Sequence, residues 1–279
     1  ALGLQFRDQR LFRLGVGGAA VATVIAQRVS ALLCGLYLLR NYRDILPRRE
    51  DFPQMRPLLP DLLSTGFAMA LMLCVVDLGS TIFQRANNLL GESYITAYTA
   101  SRRIISIMMQ PLGTIATANS TFVGQNWGAK KMDRIRSAIR KVIGLELLWG
   151  MFACCAAWLF GGALVRFTTG SSNGEVIGNA VLSLRLHLSF FPALAVLLCL
   201  RTSMQAMGRK TAPVISSCIE LTMKILSAWL LIPQLGFLGT CVTEPVTWAL
   251  MMVFLAAAYG RSAARCSPQD ARLHPSIKR

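Results

Sequence analysis

Ionisable side chains inside long apolar runs are where chemistry is sought first. Each one at mid-membrane is disfavoured by about 2.5 to 3.5 kcal/mol on insertion scales, so each calls for a partner or a task. Asp77 lies 16 residues into a run that starts near Asp61, close to mid-membrane at about 1.5 Å of rise per residue. Leu73, Cys74, Ser80 and Thr81 occupy the positions three and four away, so no base on its own helix offsets it. Such a carboxyl can exchange a proton or pair with a cationic substrate, unless Arg102, Arg103 or Arg185 reaches across to hold it. Glu220 and Lys224 stand four apart with the acid first, the spacing at which side chains meet on one helix face. A structural ion pair is expected there, with Glu220 kept as a further coupling candidate. Glu244, just before Pro245, is expected to face a cavity or to hydrogen-bond backbone freed by the kink. Glu146 lies within about two turns of a basic segment, and its carboxylate is expected to reach interfacial Arg or water.

The candidates for a substrate cavity are Gln84, Asn87, Tyr98, Met108, Arg201 and Gln205. Gln84 and Asn87, with Asn88, close a span where amides can also cap a turn. Arg102, Arg103, Arg185 and Arg201 must face protein or water, and pairing between helices is their first expectation. Met69, Met72, Met108 and Met109 have the flexible, polarizable side chains that adapt to varied ligands. His187 and His274 stand isolated, without metal-ligand spacing. No Ser/His/Asp set, catalytic carboxylate pair or phosphate loop appears, so no enzyme and no cofactor is expected.

The elements that carry these residues are long and apolar. The chain has 279 residues, 54% hydrophobic and 15% charged, a composition that indicates an all-α, polytopic helical membrane protein. Seven spans are expected at 14–39, 60–84, 94–124, 138–165, 176–207, 211–233 and 238–260. Each is long enough to cross about 30 Å of hydrocarbon. Lys130, Lys131, Arg134, Arg136, Arg140 and Lys141 crowd one inter-span segment, which fixes it as cytoplasmic. With spans alternating from there, 18 basic residues fall inside and four outside. A net charge of +16 is therefore a topology signal toward anionic lipid, with no nucleic-acid partner expected. The C-terminus is placed inside, in the cell inner (plasma) membrane. Cys34, Cys74, Cys154, Cys155, Cys199, Cys218 and Cys241 lie within apolar runs and are expected to pack there. Pro111 and Pro192 are expected to kink their spans.

The first span opens Gly15-Val-Gly-Gly18 and the last Gly236-Phe-Leu-Gly239. Both enter from the same side, the mark of a parallel repeat of two six-span halves. The expected organisation is the end of an N-terminal bundle (1–39), an inter-bundle loop (40–58), a C-terminal six-helix bundle (59–260) and a basic tail (261–279). The N-terminal six-helix half is expected as a partner, the start at Ala1 without an initiator Met suggesting a truncated chain.

Phe122-Val-Gly-Gln-Asn-Trp-Gly-Ala-Lys130 followed by Asp133-Arg134 resembles the signature of multidrug and toxic compound extrusion (MATE) transporters. Gly124, Gln125, Asn126 and Gly128 carry the motif in a structural role. Asn87-Asn-Leu-Leu-Gly91 with Ala97-Tyr98 and Arg103, Leu200–Gly208, Ile219-Glu220 and Glu244-Pro245 with Trp248 are similar to further family segments. The resemblance runs from about Gly15 to Tyr259. It implies twelve helices in two bundles, exporting drug-like or cationic compounds against sodium ions or protons. Two departures stand out. Gly66-Phe67 replaces a Gly-Pro step of some branches, and Phe190-Phe191-Pro192 stands where those branches carry an ion-binding carboxylate. The second weighs against a sodium site in this half. Other readings are a lipid-linked oligosaccharide flippase of the same superfamily, which would want a more cationic cavity, and a non-transporting membrane scaffold.

Overall fold

The computed structural model describes residues 15–42, 56–169 and 173–265, and every regular element among them is helical. The chain forms two units, Ala1–Leu62 and Leu63–Arg279. The first contains α1, Gly15–Asn41. Next come α2 (Leu59–Asn88), which begins at the end of the first unit, α3 (Glu92–Gly128) and α4 (Met132–Thr169). They are followed by α5 (Gly174–Ser189), α6 (Phe191–Ala206), α7 (Thr211–Leu226), a π-helical stretch Ser227–Leu231, α8 (Ile232–Leu235) and α9 (Phe237–Arg265).

Five of the described helices are long and apolar enough to cross a membrane, six if the bent pair α5 and α6 counts as one span. The remaining expected span, 94–124, is α3, which is diluted by Arg102, Arg103, Gln110, Asn119 and several hydroxyls. Those polar groups are explained by position, because α3 is the hub against which α4, α5 and α6 pack. Its buried stripe Ala97, Ser101, Ile105, Leu112, Ala116, Asn119 and Val123 follows helical spacing. Polar members of the stripe find partners across the interface. Ser101 Oγ donates to Ser183 Oγ at 2.9 Å, and Asn119 Nδ2 to Ser203 Oγ at 2.9 Å.

The expected fifth span is broken. α5 and α6 meet at Phe190 with a bend of 49°, and Pro192 sits in the first turn of α6, where its missing N–H is not needed. This proline therefore starts a helix, whereas Pro111 lies inside α3, which stays one helix from Glu92 to Gly128. Two glycines permit close backbone approach. A Cβ on Gly150 would lie 3.2 Å from Pro192 N, and one on Gly239 only 2.7 Å from Leu231 O in the π-helical stretch.

Glu146 departs from expectation. It is fully buried, and neither carboxyl oxygen has a hydrogen-bond partner. Its face of α4 also carries Ile139, Gly150 and Ala153 in the core, so the carboxyl is turned into the bundle and not toward an interfacial Arg.

The Gly-Gln-Asn motif forms the last turn of α3. Asn126 Nδ2 donates to Phe122 O at 2.8 Å, and Lys131 N closes the turn on Asn126 O at 2.9 Å. Gly124 approaches Ala206 at the end of α6, while Gln125 and Gly128 are exposed.

Candidate functional site

α2 is the most exposed helix of the second unit, and its buried residues are Gly79, Phe83 and Asn87. Between α2, α3 and α9 lies a cavity of about 190 Å³ lined by Ser80, Phe83, Gln84, Tyr98, Thr99, Arg102 and Glu244. Helical spacing builds each wall: Ser80 and Gln84 are one turn apart on α2, as are Tyr98 and Arg102 on α3. Arg102 lies ten residues into α3 and Glu244 seven into α9. The cavity therefore opens in the half of the bundle opposite the Gly128–Lys131 turn.

At its floor, Arg102 Nη1 pairs with Glu244 Oε2. The guanidinium side chain is 42% exposed and the carboxylate 8%, so the acid sits behind the base. From the far side, His187 Nε2 approaches the same oxygen at 3.3 Å. His187 is fully buried, held by its Nδ1 at 2.7 Å from Ser183 O and by an edge contact with the Trp248 ring at 5.8 Å. Its Nε2 has no hydrogen-bond partner, so the approach to Glu244 is a close contact without a hydrogen bond. Arg102 also lies over the Tyr98 ring, 5.8 Å from its centroid.

A second pair stands beside the first. Lys224 Nζ donates to Glu220 Oε1 at 2.8 Å and to Ser80 Oγ at 2.9 Å. The expected i, i+4 pair forms, and it is extended to the cavity wall on α2. Gly79 makes room: a Cβ there would lie 3.2 Å from Lys224 Cδ. With both acids paired, insertion of four charges into an apolar bundle is tolerable.

Of the residues singled out in the sequence, the structure brings Gln84, Tyr98 and Glu244 into one cavity and ties Glu220 to it through Lys224 and Ser80. Asn87 is buried behind it, accepting from Thr240 Oγ1 at 3.3 Å. Asp77 is exposed one helical turn from Ser80 and takes part in no ion pair among the described residues. Met108, Arg201 and Gln205 lie elsewhere. Met108 O accepts from Trp149 Nε1, Arg201 donates to Ser217 Oγ at 2.5 Å, and Gln205 meets Met72 in a second, much smaller cavity. Arg185 lies over Trp158 at 4.9 Å and does not reach Asp77. His187 is the residue that sequence reasoning missed. Its partner stands 57 positions away on another helix, and the available signal was that an imidazole in an apolar span needs a partner as much as a charge does.

The family model described as MatE matches residues 68–230, more than half of the chain. The chain belongs to the MatE family. It is 23% identical over 260 residues to the probable multidrug resistance protein YpnP of Bacillus subtilis, covering 90% of this chain and 56% of that protein. It is 25% identical over 239 residues to the probable multidrug resistance protein NorM of Thermotoga maritima, covering 82% and 49%. The chain spans about half the length of the curated relatives it matches. Two solved structures share its fold. A MOP superfamily transporter from Pyrococcus furiosus superposes with TM-score 0.73 at 20% identity over 92% of this chain and 59% of that one. A mutant of the Vibrio cholerae MATE transporter VcmN superposes with TM-score 0.75 at 19% identity, over 92% and 58%.

Proposed function

We propose that this MatE chain supplies one six-span wall of a two-bundle secondary exporter, moving drug-like compounds outward in exchange for inflowing sodium ions or protons. The observation that carries the reading is the cavity holding Arg102 and Glu244 on the side of the bundle where α2 is exposed. At about 190 Å³ it is smaller than the roughly 300 to 1,000 Å³ of a complete small-molecule site, as fits a wall that shares its ligand with a second bundle. The relatives named as multidrug resistance proteins support the cargo class.

In such an assembly the two bundles rock about a shared site, exposing it to each side in turn. The cargo undergoes no chemical change, so the protein acts as a transporter and not an enzyme. Glu244 is the acid placed to sense cargo and coupling ion, because it lines the cavity whereas Glu220 does not. Asp77, one turn from Ser80 on the exposed face of α2, is the second coupling candidate. We place the basic inter-span segments and the C-terminus on the cytoplasmic side of the inner membrane. The test is ethidium export from proteoliposomes carrying the two-bundle assembly. Export under a sodium or proton gradient that is lost in Glu244→Gln supports the reading, and export that E244Q leaves unchanged refutes it.

A further inference from the structure

We propose that Arg185 and Trp158 form a binding site for the phosphate of an anionic phospholipid, on the membrane-facing side of α4 and α5 and apart from the cargo cavity. The two helices pack closely at this level. A Cβ on Gly161 would lie 3.7 Å from the Leu184 and Val181 side chains, which lets Arg185 lie across α4. Its guanidinium sits over the Trp158 ring, 4.9 Å from the centroid, and Nη2 donates to Trp158 O at 3.2 Å. The indole is held in turn. Its Nε1 donates to Ser189 Oγ at 3.1 Å, and Cys154 Sγ approaches the same oxygen at 3.8 Å. Ser189 stands one turn after Arg185 on α5, and Cys154 one turn before Trp158 on α4, so both helices fix the plane on which the guanidinium rests.

What this arrangement lacks is an anion. Asp133 and Glu146 are the acids of α4 and Glu175 is that of α5. Glu146 is turned into the bundle, and Glu175 stands ten positions before Arg185, about 15 Å along the helix. Among the described residues no acid pairs with Arg185, and its Nε is buried without a hydrogen-bond partner. A guanidinium carries five N–H donors in a planar fork, and the Trp158 carbonyl occupies one of them. An unpaired charge within a span is disfavoured. A phosphate, with adjacent oxygens that match the fork, satisfies both the charge and the free donors.

Depth selects a lipid as the source of that phosphate. The expected span 138–165 covers about 42 Å, which matches the roughly 40 to 45 Å of a bilayer with its headgroups. Trp158 lies seven positions before its end, about 10 Å below the headgroup surface. That is close to the edge of the hydrocarbon, where tryptophans anchor and arginines reach up to headgroups. From Trp158 toward the membrane centre α4 exposes Cys155, Met151, Phe152 and Leu148, an apolar track for an acyl chain. A phospholipid supplies phosphate and chain in one molecule. It should carry net negative charge, as phosphatidylglycerol does, because the cation of a zwitterionic headgroup finds no acid here. The face is separate from the cargo site, since α4 contributes no residue to the cavity between α2, α3 and α9.

The experiment is native mass spectrometry of the 279-residue chain in detergent, titrated with phosphatidylglycerol or phosphatidylcholine. One phosphatidylglycerol should bind more tightly than any phosphatidylcholine, and Arg185→Gln should weaken that binding roughly tenfold or more. Arg185→Lys keeps the charge without the fork and should fall between, while Arg166→Gln, nearer the end of α4, should change little. Equal affinity in the parent and R185Q, or equal binding of the two lipids, overturns the proposal. Displacement of the lipid by inorganic phosphate would make this a site for a free anion and overturns the lipid assignment. A second measurement leaves Arg185 in place. In liposomes, phosphatidylglycerol brominated on its acyl chains should quench tryptophan emission more than brominated phosphatidylcholine does. Trp158→Phe keeps a ring under Arg185 and should remove that excess. No excess in the parent, or an excess that W158F leaves intact, overturns the proposal even where R185Q fails to fold.

Discussion

Replacing Arg102 by Gln should destabilise the bundle by about 2 kcal/mol, and replacing Glu244 at the same time should recover much of that loss. Removing one partner of a fully buried ion pair costs about 3 to 5 kcal/mol, because the other charge is stranded. An exposed pair contributes only about 0 to 1 kcal/mol. The Arg102–Glu244 pair lies between these limits, the guanidinium being 42% exposed and the carboxylate 8%. In R102Q the stranded group is the buried one. In E244Q the stranded group is the half-exposed arginine, which can turn toward cavity water, so the expected loss is smaller, about 1 kcal/mol. The double variant R102Q/E244Q leaves no unpaired charge and should fall well short of the sum, with a coupling energy of about 1 to 2 kcal/mol. Reversible unfolding of the four chains in bicelles, titrated with denaturing detergent and followed by tryptophan fluorescence, measures this cycle. Losses that add to within about 0.5 kcal/mol would mean that the two side chains do not act as a pair.

Gly239→Ala should destabilise by about 1 to 3 kcal/mol through overpacking against Leu231 O, whereas Gly128→Ala, with nothing within 4 Å, should be close to neutral in the same unfolding assay. Glu146→Met should be tolerated or stabilising, since it removes a carboxyl with no partner on either oxygen; a loss above about 3 kcal/mol would reveal a partner. Single cysteines at positions 48 and 131 in a Cys-free background should be labelled only from the cytoplasmic side, and one at 172 only from outside; labelling of 131 from outside reverses the orientation. Asp77→Asn should reduce ion-driven export by the two-bundle assembly while membrane expression stays intact, and normal export across a pH series would exclude Asp77 from coupling.

Local spacing made much of this legible. Glu220 and Lys224 meet because i, i+4 is a property of any helix. The Gly-Gln-Asn turn and the apolar spans likewise follow from neighbours in sequence. The bend at Phe190 was less visible, because Pro192 reads alike in a helix interior and in a first turn, and only the packing of Gly150 on the Pro192 backbone distinguishes the two. Glu146 was misplaced for a related reason. Its short distance from the basic segment says nothing of the face it presents, which the neighbouring helices set. The triad of Arg102, Glu244 and His187 draws on α3, α9 and α5. Nothing local in the chain predicts that three residues so far apart converge, so the arginine and the acid were recognisable as needing partners while the histidine passed as isolated.

The central claim is that this bundle is one wall of an ion-driven exporter whose exchange site is the Arg102–Glu244–His187 cluster. Ethidium export tests it most directly, measured in proteoliposomes holding residues 1–279 alone, then with a second six-span bundle, then with that bundle and E244Q. The account predicts no gradient-driven export from the first, export from the second and its loss in the third. Robust export by the chain alone, or by the E244Q assembly, would contradict it.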